Sequence, residues 1–377
     1  VIYFDSAATS FQKPPSVPRA VMTAIQTMSS PGRGGYDAAM RAAETAFQCR
    51  GELQELFEME APEQVVFTMN ATHGLNIAIK TLVHQGTRVV ISGYEHNAVT
   101  RPLTALGADV TVAESPLFQP EQAVETFERA ISGGAEVVIC SHVSNVFGYV
   151  QPIEEIAALC RRKGIPLIVD ASQSAGILPV SWKTLGAAFI AMPGHKGLYG
   201  PQGTGVLLCG DIPPKTLLEG GTGSASLQQK MPDFLPDRLE AGTHNMPGIA
   251  GLLEGVRFVK RKGTGTILAH ERRLAEKMAE ELRRLPDIRI YANDPLSAQS
   301  GVLSFTSGQM DPEQLGSEFG KHQVAVRTGL HCAPLAHRSA GTLETGTVRI
   351  SFSAFNTEAE VRRAAEILRQ ILQRKSE

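Results

Sequence analysis

The chain has 377 residues, room for two domains at about 100–200 residues each. Its 36 lysines and arginines against 38 aspartates and glutamates leave a formal charge of −2, which argues against the strong field of a nucleic-acid or anionic-membrane binder. No apolar run reaches the roughly 18 residues of a membrane helix, and the opening V-I-Y-F-D-S-A-A-T-S carries an acid where a leader is basic and then apolar, so a cytoplasmic location is expected.

In chain order, Ala39, Ala42, Ala46, Cys49, Leu53 and Leu56 recur every three or four residues and predict an amphipathic helix. From 63 to 210 short β-branched runs alternate with longer helical patterns, and 65–67, 89–91, 110–112, 137–139, 167–169, 189–191 and 206–208 read as seven strands. Continuous apolar runs imply strands covered on both faces, with connections long enough for crossover helices. The fold class is therefore α/β with a mostly parallel seven-stranded sheet. The texture changes after about 250. A charged helix near 264–285 carries Ile267, Leu274, Met278, Leu282 and Leu285 on one stripe, strands follow near 288–291 and 301–306, and 348–352 adds another. Thr357-Glu358-Ala359-Glu360 is a capping box opening a last helix with Val361, Ala364, Leu368 and Leu372 inside, and 374–377 is expected to fray. The predicted division is a large domain over 16–250 and a smaller α+β C-terminal domain over 251–377.

Ligands of α/β sheets bind outside the carboxyl ends of the strands, so the polar residues there carry the search. The first strand leads to Ala71-Thr72 at a helix N-terminus, a natural anion site; the second leads to Glu95-His96-Asn97; the next ones lead to His142, Ser144 and Asn145, to Asp170 with Gln173 beyond it, and to His195-Lys196. Each alone is weak, since an aspartate at a strand end is more often a helix cap and a lone histidine a surface or satisfied core group. His73, His84, His270 and His322 receive no role on that ground. Lys196, however, stands in P-G-H-K-G-L-Y-G-P-Q-G-T-G, and nine glycines lie between Gly194 and Gly223, where an even spread at about 7 % or slightly more gives roughly three. That concentration implies close backbone approach around the lysine, as to a bound cofactor. Neither phosphate-loop motif of nucleotide enzymes occurs. A lysine for covalent attachment, a carboxylate for a pyridine nitrogen, a ring and a helix-end anion site at one sheet edge are together the requirements of pyridoxal phosphate.

V-D-A-S-Q at 169–173, G-H-K-G-L-Y-G-P at 194–201, E-H-N-A-V at 95–99, H-V-S-N-V-F-G at 142–148, E-A-G-T at 240–243, R-T-G-L-H-C-A at 327–333, V-R-I-S-F at 348–352 and Y-F-D-S-A-A-T-S at 3–10 resemble the class V aminotransferase-type enzymes, and within them the group II cysteine desulfurases and selenocysteine lyases. The resemblance implies a PLP-dependent transferase fold of type I, a homodimer with shared active sites, and an N-terminal segment, 1–15, joining the small domain. It implies that Lys196 binds pyridoxal 5′-phosphate and moves the Cα proton, that Asp170 meets the pyridine nitrogen, and that Gln173 meets the ring hydroxyl. His96 would stack on the ring and serve proton transfer. Ala71, Thr72, His195 and, from the partner subunit, Thr243 would surround the phosphate. Asn145 and Arg349 would bind the substrate carboxylate, Arg349 by a two-pronged fork.

Five scattered cysteines, none in C-x-x-C spacing, argue against a disulfide framework or zinc ribbon. Cys49, Cys140, Cys160 and Cys209 read as small buried hydrophobes. Cys332 lies in a polar turn with Arg327 and His331 close enough in sequence to favour a thiolate, and is the candidate nucleophile. A metal site from His331, Cys332 and His337 lacks standard ligand spacing. The stretch 327–345 reads as turn-rich surface from which Cys332 could reach a sulfur-acceptor protein. Three positions and one stretch depart from the family pattern: Pro193 replaces a hydroxyl, Ala71 a threonine, Leu330 a histidine, and 30–36 has no histidine. The expected reaction is L-cysteine to L-alanine with sulfur transfer to Cys332, the alternatives being a selenocysteine lyase, a cystine or cysteine β-lyase, and a non-catalytic relay protein.

Overall fold

The computed structural model describes residues 1–32 and 34–376, with side chains up to Gln373. Arg33, within the 30–36 departure, and the side chains of the expected frayed end fall outside it.

The chain opens with a short strand, β1 (Ile2–Tyr3). All seven predicted strands then form, as β2 (Val65–Thr68), β3 (Arg88–Ser92), β4 (Asp109–Ala113), β5 (Val137–Ser141), β6 (Leu167–Asp170), β7 (Phe189–Pro193) and β8 (Gly205–Cys209). Their order is β2-β8-β7-β6-β5-β3-β4. The strands from β7 to β4 are parallel, and β8 runs antiparallel to both β7 and β2.

The apolar runs have the cause the sequence suggests. Side chains alternate across a pleated strand, and in β5 Val138 and Cys140 enter one core while Val137 and Ile139 enter another. Helices 37–57, 153–163 and 246–262 cover the first face, and helices 71–82 and 97–106 the second. Both faces are therefore dry. The exception is β4, where Asp109, Val110 and Thr111 are exposed: as an edge strand it has a sheet neighbour on one side only, so its apolar run does not mean full burial.

The second sheet is antiparallel and uses β9 (Ile288–Tyr291), β10 (Val302–Ser307), β12 (Arg327–Gly329) and β13 (Thr347–Ser351) in the order β12-β13-β10-β9; β11 (Val324–Ala325) pairs instead with β1, in parallel. Helices 264–283, 312–321 and 358–376 contribute its core with Phe4 of the N-terminal segment. The last helix opens on the predicted box, Glu360 N–H donating to Thr357 Oγ1 at 3.3 Å and the Thr357 N–H to Glu360 Oε2 at 2.7 Å. The expected division at 250 falls inside the helix Met246–Lys262, whose Met246, Ile249, Leu252, Leu253 and Val256 belong to the first core. Among the described residues no helix is long and apolar enough to cross a membrane.

Candidate active site

Sheet register assembles the site. Ser141, Asp170 and Ala191 are neighbours across β5, β6 and β7, so the residues just beyond them share one rim. There Ala71, Thr72, His96, Asn145, Asp170, Gln173, His195 and Lys196 line one cavity of about 110 Å³. Eight of the predicted residues thus converge from five different connections.

Lys196 sits in the loop between β7 and β8, closed by Gly194 N–H to Thr204 O at 2.9 Å, Tyr199 N–H to Lys196 O at 2.9 Å and Gly200 N–H to Gly194 O at 2.7 Å. The loop explains the glycines differently from the sequence reading. A Cβ at Gly194 would lie 2.2 Å from Thr204 Oγ1 and one at Gly197 2.4 Å from the Ala175 carbonyl, so the close approach required at these two is to the protein's own chain. Burial lowers the Lys196 ammonium to about 8, opposed by the nearby Asp170 carboxylate and reinforced by Arg349 and Arg327. An amine held near neutrality is a nucleophile and a base.

Asp170 ends β6, buried, with Oδ1 accepting from Ser172 N–H at 2.9 Å. His96 caps the helix Asn97–Leu106: its Nδ1 accepts from Ala98 N–H at 3.0 Å, which assigns the neutral ring's proton to Nε2. Burial lowers its pKa, Asp170 pulling the other way and Lys196 adding to the fall. Ala71 and Thr72 head the 12-residue helix capped by Asn70, whose Oδ1 accepts from His73 N–H at 2.9 Å. Gln173 donates Nε2–H to the Ala7 carbonyl at 3.0 Å. The His195 ring lies 3.0 Å from Thr9 Oγ1 and is brought to about 4 by burial and by Lys196 and Lys13, so it is neutral. His142 is fully enclosed, lowered to about 4 by burial, and Ser144 Oγ accepts from Val146 and Phe147 N–H at 3.3 Å each; both shape the turn that presents Asn145.

Arg349 is nearly inaccessible at 2 %. Its Nη1 donates to the Asn145 carbonyl at 2.9 Å and its Nη2 to Asp5 Oδ1 at 2.7 Å. Burial lowers its pKa and the Asp5 carboxylate holds it up. Arg349 Nε and Asn145 Oδ1 are buried without partners, two groups that a polar ligand would satisfy.

Cys332 is the one exposed cysteine, while Cys49, Cys140, Cys160 and Cys209 are buried as expected. It occupies a turn closed by Ala333 N–H to Leu330 O at 2.9 Å, with His331 and Cys332 at φ +50° and +56°. The turn is tied to the rim: Asn97 N–H donates to the Cys332 carbonyl and Asn145 Nδ2–H to the His331 carbonyl, each at 2.8 Å. The expected help to a thiolate is absent. His331 turns inward onto Thr347 Oγ1 at 3.1 Å and is lowered to about 2 by burial and Arg349, so it carries no charge; Arg327 is engaged by Asp5. His337 likewise turns inward, to Thr342 Oγ1 at 2.8 Å. Beyond Cys332 the expected open surface is the helix Pro334–Ala340, seated by buried Ala333, Ala336 and His337.

Thr243 does not join this cavity. It is exposed and borders a separate pocket beside Phe67, His73 and His244. Its motif partner Glu240 anchors the loop, taking Arg50 Nη1–H at 2.8 Å, Phe67 N–H at 2.6 Å and His244 Nε2 at 3.0 Å.

Sequence reading passed over three residues here. Asp5 was quoted only as part of a motif. Lys13 is lowered to about 8 by burial and donates to Ser10 Oγ at 2.6 Å and to the His195 carbonyl at 3.2 Å. Glu95 is fully buried, raised to about 7 by desolvation against hydrogen bonds from Ser141 and Ser92. Its Oε1 accepts from Ser141 N–H at 2.8 Å and its Oε2 from the Ser141 hydroxyl at 2.6 Å, joining the ends of β3 and β5 beneath His96.

Comparison with known proteins agrees with this arrangement. The profile of the family Aminotransferase class-V matches residues 2–364. A "Probable cysteine desulfurase" of Methanothermobacter thermautotrophicus is 31% identical over 98% of this chain and 94% of its own, and one of Pyrococcus abyssi is 30% identical over 99% and 94%. The apo structure of cysteine desulfurase from Thermococcus onnurineus NA1 superposes with a TM-score of 0.89 at 30% identity, covering 99% of this chain and 95% of that one. The chain therefore belongs to the class-V aminotransferase family, in its cysteine desulfurase branch, with a type I fold.

Proposed function

We propose that the chain is a pyridoxal-phosphate-dependent cysteine desulfurase that converts L-cysteine to L-alanine and takes the sulfur onto Cys332 as a persulfide. One observation carries this reading: an exposed thiol on a turn hydrogen-bonded to the rim that also holds Lys196, Asp170 and His96. The homologues named for this activity at about 30% identity support it.

The residues present fit the cofactor. A buried, near-neutral lysine suits its aldehyde, a buried carboxylate at Asp170 suits its pyridine nitrogen, and the helix start at Ala71–Thr72 suits its phosphate. Gln173 and neutral His195 would supply further hydrogen bonds. When bound, pyridoxal phosphate supplies an electron sink that acidifies the substrate Cα–H bond and weakens Cβ–S.

The protein's own part follows from its geometry. Lys196 Nζ, as a free amine, takes the Cα proton and returns it to Cα before alanine leaves. His96, which lines the cavity and carries its ring proton on Nε2, would stack on the cofactor ring and hand a proton onward. Arg349 and Asn145 bind the substrate carboxylate, donating from the unpartnered Arg349 Nε and from the second N–H of Asn145 Nδ2, whose first goes to the His331 carbonyl. The Cys332 thiolate attacks the substrate sulfur: Cβ–S breaks and S–S forms. The two sulfurs together lose two electrons, Cβ gains them, and the proton given up by the Cys332 thiol balances the one gained by the methyl of alanine. No outside oxidant or reductant is consumed.

An acceptor protein would then collect the sulfur from the exposed Cys332, a thiol suited to a reducing, cytoplasmic compartment. Two subunits would share their sites, Thr243 of each reaching the phosphate of the other. Supporting this, helices 16–27 and 37–57 leave Met22, Ile25, Met40 and Phe47 exposed at 56–67%, an apolar surface that a second copy would cover. The test is to incubate the protein with L-cysteine, L-selenocysteine and L-cystine and to quantify alanine, pyruvate and sulfide or selenide. Alanine from cysteine, falling at least about 100-fold in Cys332→Ser, is the expected result. Pyruvate formed without need of Cys332 would replace this reading with a β-lyase.

A further inference from the structure

Asp5 comes from the N-terminal segment, yet its carboxylate lies against Arg349, which is not among the cavity-lining residues but donates to the carbonyl of Asn145, which is. Asp5 follows β1 and bridges Ser351 of β13. Its neighbours lock that position: Ser351 N–H donates to Phe4 O at 2.8 Å, Ser6 N–H to Ser351 O at 3.4 Å, and Ala7 N–H to Ser351 Oγ at 2.9 Å. Asp5 Oδ1 accepts from Arg349 Nη2 at 2.7 Å, and its two oxygens accept from Arg327 Nε at 3.3 and 3.1 Å.

Two guanidiniums therefore converge on one carboxylate, and solvent treats them differently. The Arg327 side chain is 50% exposed and screened, whereas that of Arg349 is 2% exposed and is not. Without the carboxylate, Arg349 would be a buried charge lacking its counter-ion with a like charge beside it, and it would move. With the carboxylate, Asp5 and the Asn145 carbonyl hold Nη2 and Nη1. A guanidinium has five N–H donors; these anchors take two of them and leave three, among them the buried, unpartnered Nε.

We propose that Asp5 is a positioning residue for the substrate: it fixes the guanidinium of Arg349 in the orientation that receives the carboxylate of the amino acid. The inference rests on the reading above that Arg349 binds that carboxylate. Asp5 belongs to a segment that also reaches the cofactor side, through Ala7 O to Gln173 and Ser10 N–H to His195 O, so one short stretch sets both the amino-acid and the cofactor ends of the cavity.

The test uses the loaded enzyme and two readouts, steady-state kinetics with L-cysteine and the calorimetric Kd of L-alanine. In Asp5→Asn, KM rises about tenfold while kcat stays within about twofold, the pattern of lost uniform binding, and the Kd of alanine weakens by the same factor. Asp5→Glu keeps the counter-charge but moves it by one methylene, and it raises both constants several-fold; it serves where Asp5→Asn does not fold. In the double variant Asp5→Asn/Arg327→Gln the like charge is gone, and KM and Kd return part of the way, which a merely structural loss would not do. Unchanged constants in both single variants overturn the proposal, and tighter alanine binding in Asp5→Asn overturns it by making Asp5 a competitor of the substrate. Arg349→Ala separates the two levels: if it leaves KM and Kd unchanged, the carboxylate reading falls and Asp5 with it, whereas if it raises both and Asp5→Asn does not, only Asp5 falls.

Discussion

Lys196 shows how burial sets a side chain to its task. Its ammonium, lowered to about 8 from the 10.5 of a free lysine, loses its proton about 300 times more readily than a solvated one, at about tenfold per unit. The free amine is the form that adds to an aldehyde, so the rate at which apo-protein takes up pyridoxal phosphate is expected to rise about tenfold per pH unit below 8 and to level off above it. Stopped-flow absorbance across pH 6–10 measures this, and a rise continuing to pH 10 would show that the lysine is not held near neutrality. In Lys196→Ala the protein-bound absorbance band is expected to vanish. Lys196 was legible in the sequence because it stood alone in a glycine-rich turn. Asp5 and Lys13 were not, because their importance comes from Arg349 and His195, residues 344 and 182 positions away, and spacing along a chain carries no trace of such pairs.

At the scale of elements, the turn holding Cys332 is strained by design of its contacts. Two consecutive non-glycine residues, His331 and Cys332, have positive φ, a conformation costing roughly 1–2 kcal/mol apiece for a residue with a Cβ. Exposure of Cys332 means that removing its side chain opens no cavity. Cys332→Gly is therefore expected to stabilise the protein by roughly 1 kcal/mol while abolishing sulfur transfer, read as a raised urea midpoint with no persulfide formed; a lowered midpoint would show that the thiol itself holds the turn. The seven large-sheet strands were readable because both faces demand apolar side chains, a requirement local to each run. The reversed course of β8, the two-residue β1 and β11, and the helix after Cys332 were not, since they depend on tertiary partners: Ala333 and Ala336 carry little apolar signal until a core receives them. The helix Met246–Lys262, which spans the expected division at 250, packs on the first core.

At the scale of the whole molecule, the residues proposed for the site come from the elements of both larger sheets. Asp170, His96 and Lys196 come from the parallel sheet and its loops, Arg349 and Cys332 from the antiparallel side, and the N-terminal segment bridges β13 of the second at Asp5–Ser351 while bonding the first through His195 and Gln173. The near-neutral charge noted first in the sequence suits a small zwitterionic substrate, though it states nothing of where the charges meet. Thr243, which lines a pocket separate from the cavity, would fit the proposed site completed by a second copy. A dimer is accordingly expected in sedimentation equilibrium. Met40→Glu with Phe47→Glu, which place charge on the exposed apolar helix, should give monomers with at least about tenfold weaker cofactor retention, since a lost charged phosphate contact is worth about 1.5–3 kcal/mol. A monomeric wild type with full activity would exclude the shared site.

The two hydrogen bonds that tie the Cys332 turn to Asn97 and Asn145 limit how far sulfur can travel. With the backbone pinned at His331 and Cys332 carbonyls, the thiol sweeps only the few ångströms separating its rotamers, and a persulfide lengthens it by one bond of about 2 Å. Such a group is not a swinging arm. Under the proposed transfer, delivery would be made at short range, to an acceptor whose own nucleophile protrudes far enough to come to the rim, and the shape of the rim around Cys332 would select which acceptors are served.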